Sequence, residues 1–184
     1  MTEPATPGQT IGPFFHEALP YAQDRELVPP GSMGSIRLHG YVYDGAGLGA
    51  PDALVEIRQA DPAGVVPRVE GSLHRPGAAF TGWGRSSTDR TGHYWFSTVE
   101  PAPVRPGGPA FFAVTVFARG LLNRLFTRVY LPEHAAGDPL LDRLDPAERA
   151  GLIARRDDDG GLRFDIHLQG DAETVFLTFP GHGG

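Results

Sequence analysis

Residues 35–44 read "SIRLHGYVYD". Ile36, Leu38 and Val42 fall on one parity, and Arg37, His39 and Tyr41 on the other. Side chains of a strand point alternately to its two faces, so this run predicts a half-buried strand with one apolar face. The pattern recurs. "ALVEIRQA" (53–60) sets Val55 and Ile57 against Glu56 and Arg58. "HYWFSTV" (93–99), "FFAVTVFARG" (111–120), "LFTRVYL" (125–131), "LRFDIHLQ" (162–169) and "ETVFLTF" (173–179) continue it. Each strand has one apolar face to bury, and about eight of them do so by forming two packed sheets. The expected fold is all-β, a two-sheet antiparallel β-sandwich. The 25 glycines and 18 prolines are spread throughout and punctuate the strands.

One segment breaks the two-residue period. "DPAERAGLIARR" (145–156) opens with Asp145 as N-cap, Pro146 at the first helical position and Glu148 placed for a capping box. "DPLLDRL" (138–144) reads as a shorter turn before it, so a helical excursion is expected near 139–156. "GAGLG" (45–49) lies between two strands and reads as a hairpin loop, not a phosphate cradle. The domain reading is an N-terminal arm over 1–35, extended and packed on a partner chain, followed by one sandwich over 36–184.

Composition narrows the function. The chain has 184 residues, enough for one domain with a sizeable core. Its net charge of −6 argues against nucleic-acid binding, which needs a basic surface. All sixteen basic residues are arginine, so a single arginine says little by itself. There is no cysteine, which excludes disulfides and thiolate metal sites. No apolar run approaches the ~20 residues of a membrane span, and no signal pattern opens the chain, so a cytoplasmic protein is expected. The seven histidines show no zinc-site spacing, and His39 and His167 on polar strand faces read as surface or hydrogen-bonded residues. Motifs alone lead to a soluble β-sandwich of unknown role.

"TPGQTIGPFF" (6–15) adds a further pointer, a stiff Gly12-Pro13 pair followed by two phenylalanines in a tail. With "HGYVYDGAGLGAPDALVEIRQADPAG" (39–64), "FTGWGRSSTDRTGHYWFSTVEPAP" (80–103), "VFARGLLNRLFTRVYLPE" (116–133) and "LRFDIHLQGDAETVFLTF" (162–179), it resembles the intradiol ring-cleaving dioxygenases in order along nearly the whole chain. Within that family the likeness is to the metal-free, alpha-type chain of a two-chain enzyme. Arg58 stands where the family usually has tryptophan.

The resemblance implies a chemistry. Family members hold ferric iron with two tyrosines and two histidines, a donor set in which hard phenolate oxygens favour Fe(III). The matching positions here are Val66, Val104, Phe111 and Ala113, none of which can ligate a metal. The implied arrangement is therefore a chain that binds no metal and has no catalytic residue of its own. Fe(III) would be held by a homologous beta subunit, in a higher hetero-oligomer of αβ pairs. The substrates would be dioxygen and a small dihydroxybenzoate, opened between its hydroxyl-bearing carbons to a carboxymuconate. The resemblance assigns substrate contacts to Thr10, Gly12, Pro13 and Arg119. No nucleic acid or membrane partner is implied. The alternative is a stand-alone β-sandwich binding module that has lost the metal site.

Overall fold

The computed structural model describes residues 12, 14–68 and 79–179. Elements run in the order α1 (Phe15–Ala18), β1 (Ser35–Tyr43), β2 (Leu54–Arg58), β3 (Trp83–Ser87), β4 (His93–Val99), β5 (Phe111–Phe117) and β6 (Leu125–Tyr130). Two 3-10 turns follow (Pro132–His134 and Leu141–Arg143), then α2 (Pro146–Gly151), β7 (Arg155–Arg156), β8 (Leu162–Arg163) and β9 (Ile166–His167). One sheet has the order β4-β1-β8-β7, with β9 also on β1, and the other is β3-β2-β5-β6.

The alternation read from residues 35–44 is the one that builds the core. Leu38 and Val42 point inward and are buried, beside Phe96 and Tyr94 of the antiparallel neighbour β4. Val55, Ile57, Phe112, Val114, Val116 and Val129 face them from the second sheet. Each such side chain taken out of water contributes roughly 1.5–3 kcal/mol before entropy is counted.

Gly40 of β1 lies against the backbone of Phe164, between β8 and β9. A Cβ there would lie 1.7 Å from the carbonyl oxygen of Phe164 and 3.2 Å from the Tyr94 hydroxyl. That hydroxyl donates to the same carbonyl at 2.6 Å. Only glycine leaves room for the backbone of residue 164 to pass over β1.

The strands and helix depart from expectation in three places. The run 162–169 is not one antiparallel strand but the two short strands β8 and β9, both parallel to β1. The break has a cause: Tyr41 N–H donates to the Asp165 carboxylate at 3.1 Å, so a side chain takes the place of a ladder bond. The run 173–179 is not a strand. Thr174 N–H bonds His167 of one sheet, whereas Leu177 N–H bonds Phe126 of the other, so the segment spans the two sheets and extends neither. The helix is shorter than its pattern. The capping box forms, with Glu148 N–H on Asp145 at 2.8 Å and the reciprocal bond at 3.1 Å. It ends at Gly151, because Tyr130 N–H bonds the Leu152 carbonyl and Ala154 N–H bonds the Tyr130 carbonyl, which draws the chain into register with β6.

The loop at 45–49 does fold back on β1, bridging Tyr43 to Gly49, but the chain then crosses to the other sheet instead of pairing β2 with β1. The arm is not extended throughout. Phe15–Ala18 form one helical turn, and from there the arm rests on this chain's own sandwich. Arg85 holds it, donating to the Leu19 carbonyl at 2.9 Å while paired with Glu56 at 2.6 Å. Tyr21 stacks on Trp83 at 6.5 Å, and Leu27 is buried in the core.

Candidate functional site

Four positions far apart in sequence meet at one place. Val66 and Val104 arrive on loops, while Phe111 and Ala113 lie two residues apart on one face of β5. All four line one concavity of about 150 Å³, with Ala60 on the wall and Arg58 at its edge. These are the positions the resemblance assigned to metal ligands, and their convergence supports that correspondence. The side chains they present are two isopropyl groups, a phenyl ring and a methyl. They offer no lone pair, so this site does not fit a ferric ion. Among the described residues, no group of three or more metal-capable side chains occurs elsewhere.

Phe111, one wall of the concavity, packs on a polar cluster that the sequence did not announce. Asp138 is buried, accepts from the Tyr130 hydroxyl at 2.6 Å and pairs with Arg128 at 2.7 Å. Burial pushes the Asp138 carboxyl up, but the Tyr130 hydroxyl, the Leu140 N–H and Arg128 outweigh it and hold the acid below its ordinary value of 3.8. Tyr130 in turn is raised, by burial first and then by its bond to Asp138. The Arg128 guanidinium lies 4.4 Å from the centre of the Phe111 ring, and Tyr130 touches the same ring at 5.5 Å. Phe111 is thus fixed between a cation and an aromatic. No local motif announces this cluster, because its members meet through strand register.

The residues assigned to substrate lie elsewhere. Thr10 and Pro13 fall outside the described residues. Gly12 is exposed, and a Cβ built on it would meet nothing within 4 Å. Nothing in this chain alone demands glycine there. Arg119 follows the end of β5, its side chain 64% exposed and its Nε 3.1 Å from the Asp52 carboxylate. It keeps the outward parity of Phe111 and Ala113 but lies in the turn beyond Phe117, where β5 ends, and is not among the residues that line the concavity. The chain does not bring Arg119 to the concavity.

Other candidates are accounted for locally. His39 bonds Asp157 at 2.6 Å, in line with a hydrogen-bonded strand histidine. A larger groove of about 740 Å³ lies between α2 and the C-terminal segment. Its Arg155 and Arg163 are both paired with Asp165, at 3.4 Å and 3.0 Å, and acidic Asp145, Glu148, Asp171 and Glu173 line it beside them. No helix among the described residues is long and apolar enough to cross a membrane.

Comparison with known proteins fits this geometry. A family described as Dioxygenase matches residues 10–170. The dioxygenase domain of a carbohydrate-binding fusion protein from Streptomyces sp. SirexAA-E superimposes with a TM-score of 0.55 at 24% identity, over 92% of this chain and 99% of that one. That likeness speaks for the fold alone. The chain belongs to this dioxygenase family, the intradiol ring-cleaving group that its motifs resemble. Within it, the chain is 36% identical to the protocatechuate 3,4-dioxygenase alpha chain of Burkholderia cepacia, over 94% of this chain and 96% of that one. Against the beta chain from the same organism, identity is 30% over 91% of this chain and 77% of that one.

Proposed function

We propose that this chain is the metal-free alpha subunit of a protocatechuate 3,4-dioxygenase, active only with an iron-bearing beta chain. The observation that carries the reading is the convergence of Val66, Val104, Phe111 and Ala113 on one apolar concavity. A family member that assembles this place without a single donor atom serves the reaction from outside the metal sphere. The alpha-chain similarity points the same way.

In this reading Fe(III) sits in the beta chain, and no step runs through the residues of this one. The reaction adds both atoms of dioxygen to 3,4-dihydroxybenzoate and opens the ring between the hydroxylated carbons, giving 3-carboxy-cis,cis-muconate. Thr10, Gly12 and Pro13 are the arm's substrate-contacting residues in this reading. The open space around Gly12 lets a partner or ring approach the backbone closely. Arg119 is largely exposed in the lone chain and, beside its pair with Asp52, still presents guanidinium N–H groups to an anion across a subunit boundary. A guanidinium carries its charge at any working pH and suits a carboxylate. The assembly is a hetero-oligomer of αβ pairs, in the cytoplasm.

Coexpression tests this. The chain purified with a homologous beta subunit carrying the Tyr/Tyr/His/His set should turn over protocatechuate, and the chain purified alone should not. Turnover by the lone chain, or failure of the two chains to copurify, would refute the reading.

A further inference from the structure

The cross-strand register around Ala113 leaves a gap in the outer face of the second sheet. Ala113 on β5 pairs with Arg58 on β2 and with Arg128 on β6. Directly opposed residues have Cβ atoms about 4.5–5.5 Å apart, so a methyl group lies between two positions that bear guanidinium groups. Ala113 itself is exposed. The phenyl ring of Phe111 forms one wall of the gap, and Val66 and Val104 enclose it from the loops. The space, about 150 Å³, matches an apolar cavity that admits one benzene ring.

The two arginines differ. Arg128 is neutralised by Asp138 and packed on Phe111. Arg58 donates to the Pro67 carbonyl at 3.2 Å, and among the described residues no carboxylate comes within ion-pair distance of it. A guanidinium that no described carboxylate neutralises, lining a ring-sized apolar notch, is a receptor for one class of molecule. The ring needs only apolar walls, and the cation selects a carboxylate on its rim.

We propose that the notch at Ala113 binds a monocyclic aromatic carboxylate, the ring against Phe111, Val66 and Val104 and the carboxylate on Arg58. The proposal uses none of Thr10, Gly12, Pro13 or Arg119 and goes beyond the subunit reading, on which it does not depend. The competing occupant is a side chain of a partner subunit.

The test is fluorine NMR titration of 4-fluorobenzoate against the full-length chain, with neutral 4-fluorobenzamide as control. Saturable 1:1 binding of the benzoate is expected. Ala113→Leu fills the notch and should abolish it. Arg58→Gln should weaken the benzoate at least about tenfold, as loss of a charge-assisted bond does, and leave the benzamide unchanged. Arg58→Lys should restore part of the loss. Far-UV circular dichroism checks that each variant is folded; should Ala113→Leu fail to fold, the benzoate-to-benzamide ratio in Arg58→Gln decides alone. The proposal is overturned by absence of saturable binding, by binding that survives Ala113→Leu in a folded chain, or by equal effects of Arg58→Gln on acid and amide. It is equally overturned if Ala113→Leu blocks association with the beta chain while benzoate binding persists, since the notch would then hold a partner side chain.

Discussion

Arg119 and Asp52 form an ion pair of 3.1 Å at the end of β5. The arginine side chain is mostly in water, so the pair contributes only about 0–1 kcal/mol to stability. Structure and function therefore separate cleanly at this residue. In the αβ complex, Arg119→Ala should leave the melting temperature almost unchanged. It should weaken productive binding of protocatechuate by roughly 1–3 kcal/mol while affecting catechol, which lacks the carboxylate, much less. Steady-state kinetics on both substrates decide it. Equal losses would reject carboxylate recognition, and no loss on either would make Arg119 a simple surface partner of Asp52.

Asp138 carries the opposite balance. It is buried and serves both Tyr130 and Arg128. Asp138→Ala strips partners from both and should destabilise the chain by about 1.5–3 kcal/mol in denaturant titration. The same group sets an acid limit. Its pKa in the folded chain is below 3.8, its ordinary value, so the unfolded chain takes up the proton first. The stabilisation is full above that ordinary value and is lost as pH falls through the folded pKa. Stability of the wild type should therefore fall more steeply below pH 4 than that of Asp138→Ala. Parallel acid profiles would show that the cluster does not hold the carboxylate ionised.

Gly40 tests the crossing of residue 164 over β1. Gly40→Ala places a methyl against a backbone carbonyl, which has no flexible side chain to move aside. Destabilisation of at least ~2 kcal/mol is expected by thermal or chemical unfolding. A neutral effect would mean that the backbone at 164 is free to shift.

The arm is expected to act in two parts. Residues from Leu19 onward are tied to the sandwich by Arg85, whereas Phe14 is 68% exposed. Deleting residues 1–14 should leave the lone chain's fold intact and weaken its association with the beta chain, read by analytical ultracentrifugation. A truncated chain that assembles and turns over normally would show that the arm is dispensable.

The sequence was legible wherever a residue's environment follows from its neighbours along the chain. Alternation placed Leu38, Val42, Val55 and Ile57 in the core, and the spacing of Asp145 and Glu148 foretold a capping box that forms. What it hid depends on contacts between strands. Nothing near Asp165 says that its carboxylate will replace a ladder bond to Tyr41, and so the break between β8 and β9 was invisible. The helix stopped early because β6 captured Leu152 and Ala154, a tertiary effect on a good local pattern. For the site, Val66, Val104, Phe111 and Ala113 were marked by resemblance, but their meeting in one concavity became visible only in the fold. Arg58 beside Ala113 and Arg128 against Asp138 arise from register, which no single segment encodes.

In the proposed function this chain completes an active site whose iron another chain holds. The decisive measurement is titration of the purified chain into its iron-loaded beta partner, with ring cleavage of protocatechuate followed at each step. Activity should rise to a sharp plateau at one chain per beta chain, with iron present only at the partner's stoichiometry. Activity of the beta chain that is already maximal without this chain, or iron acquired by this chain in proportion to its amount, would contradict it.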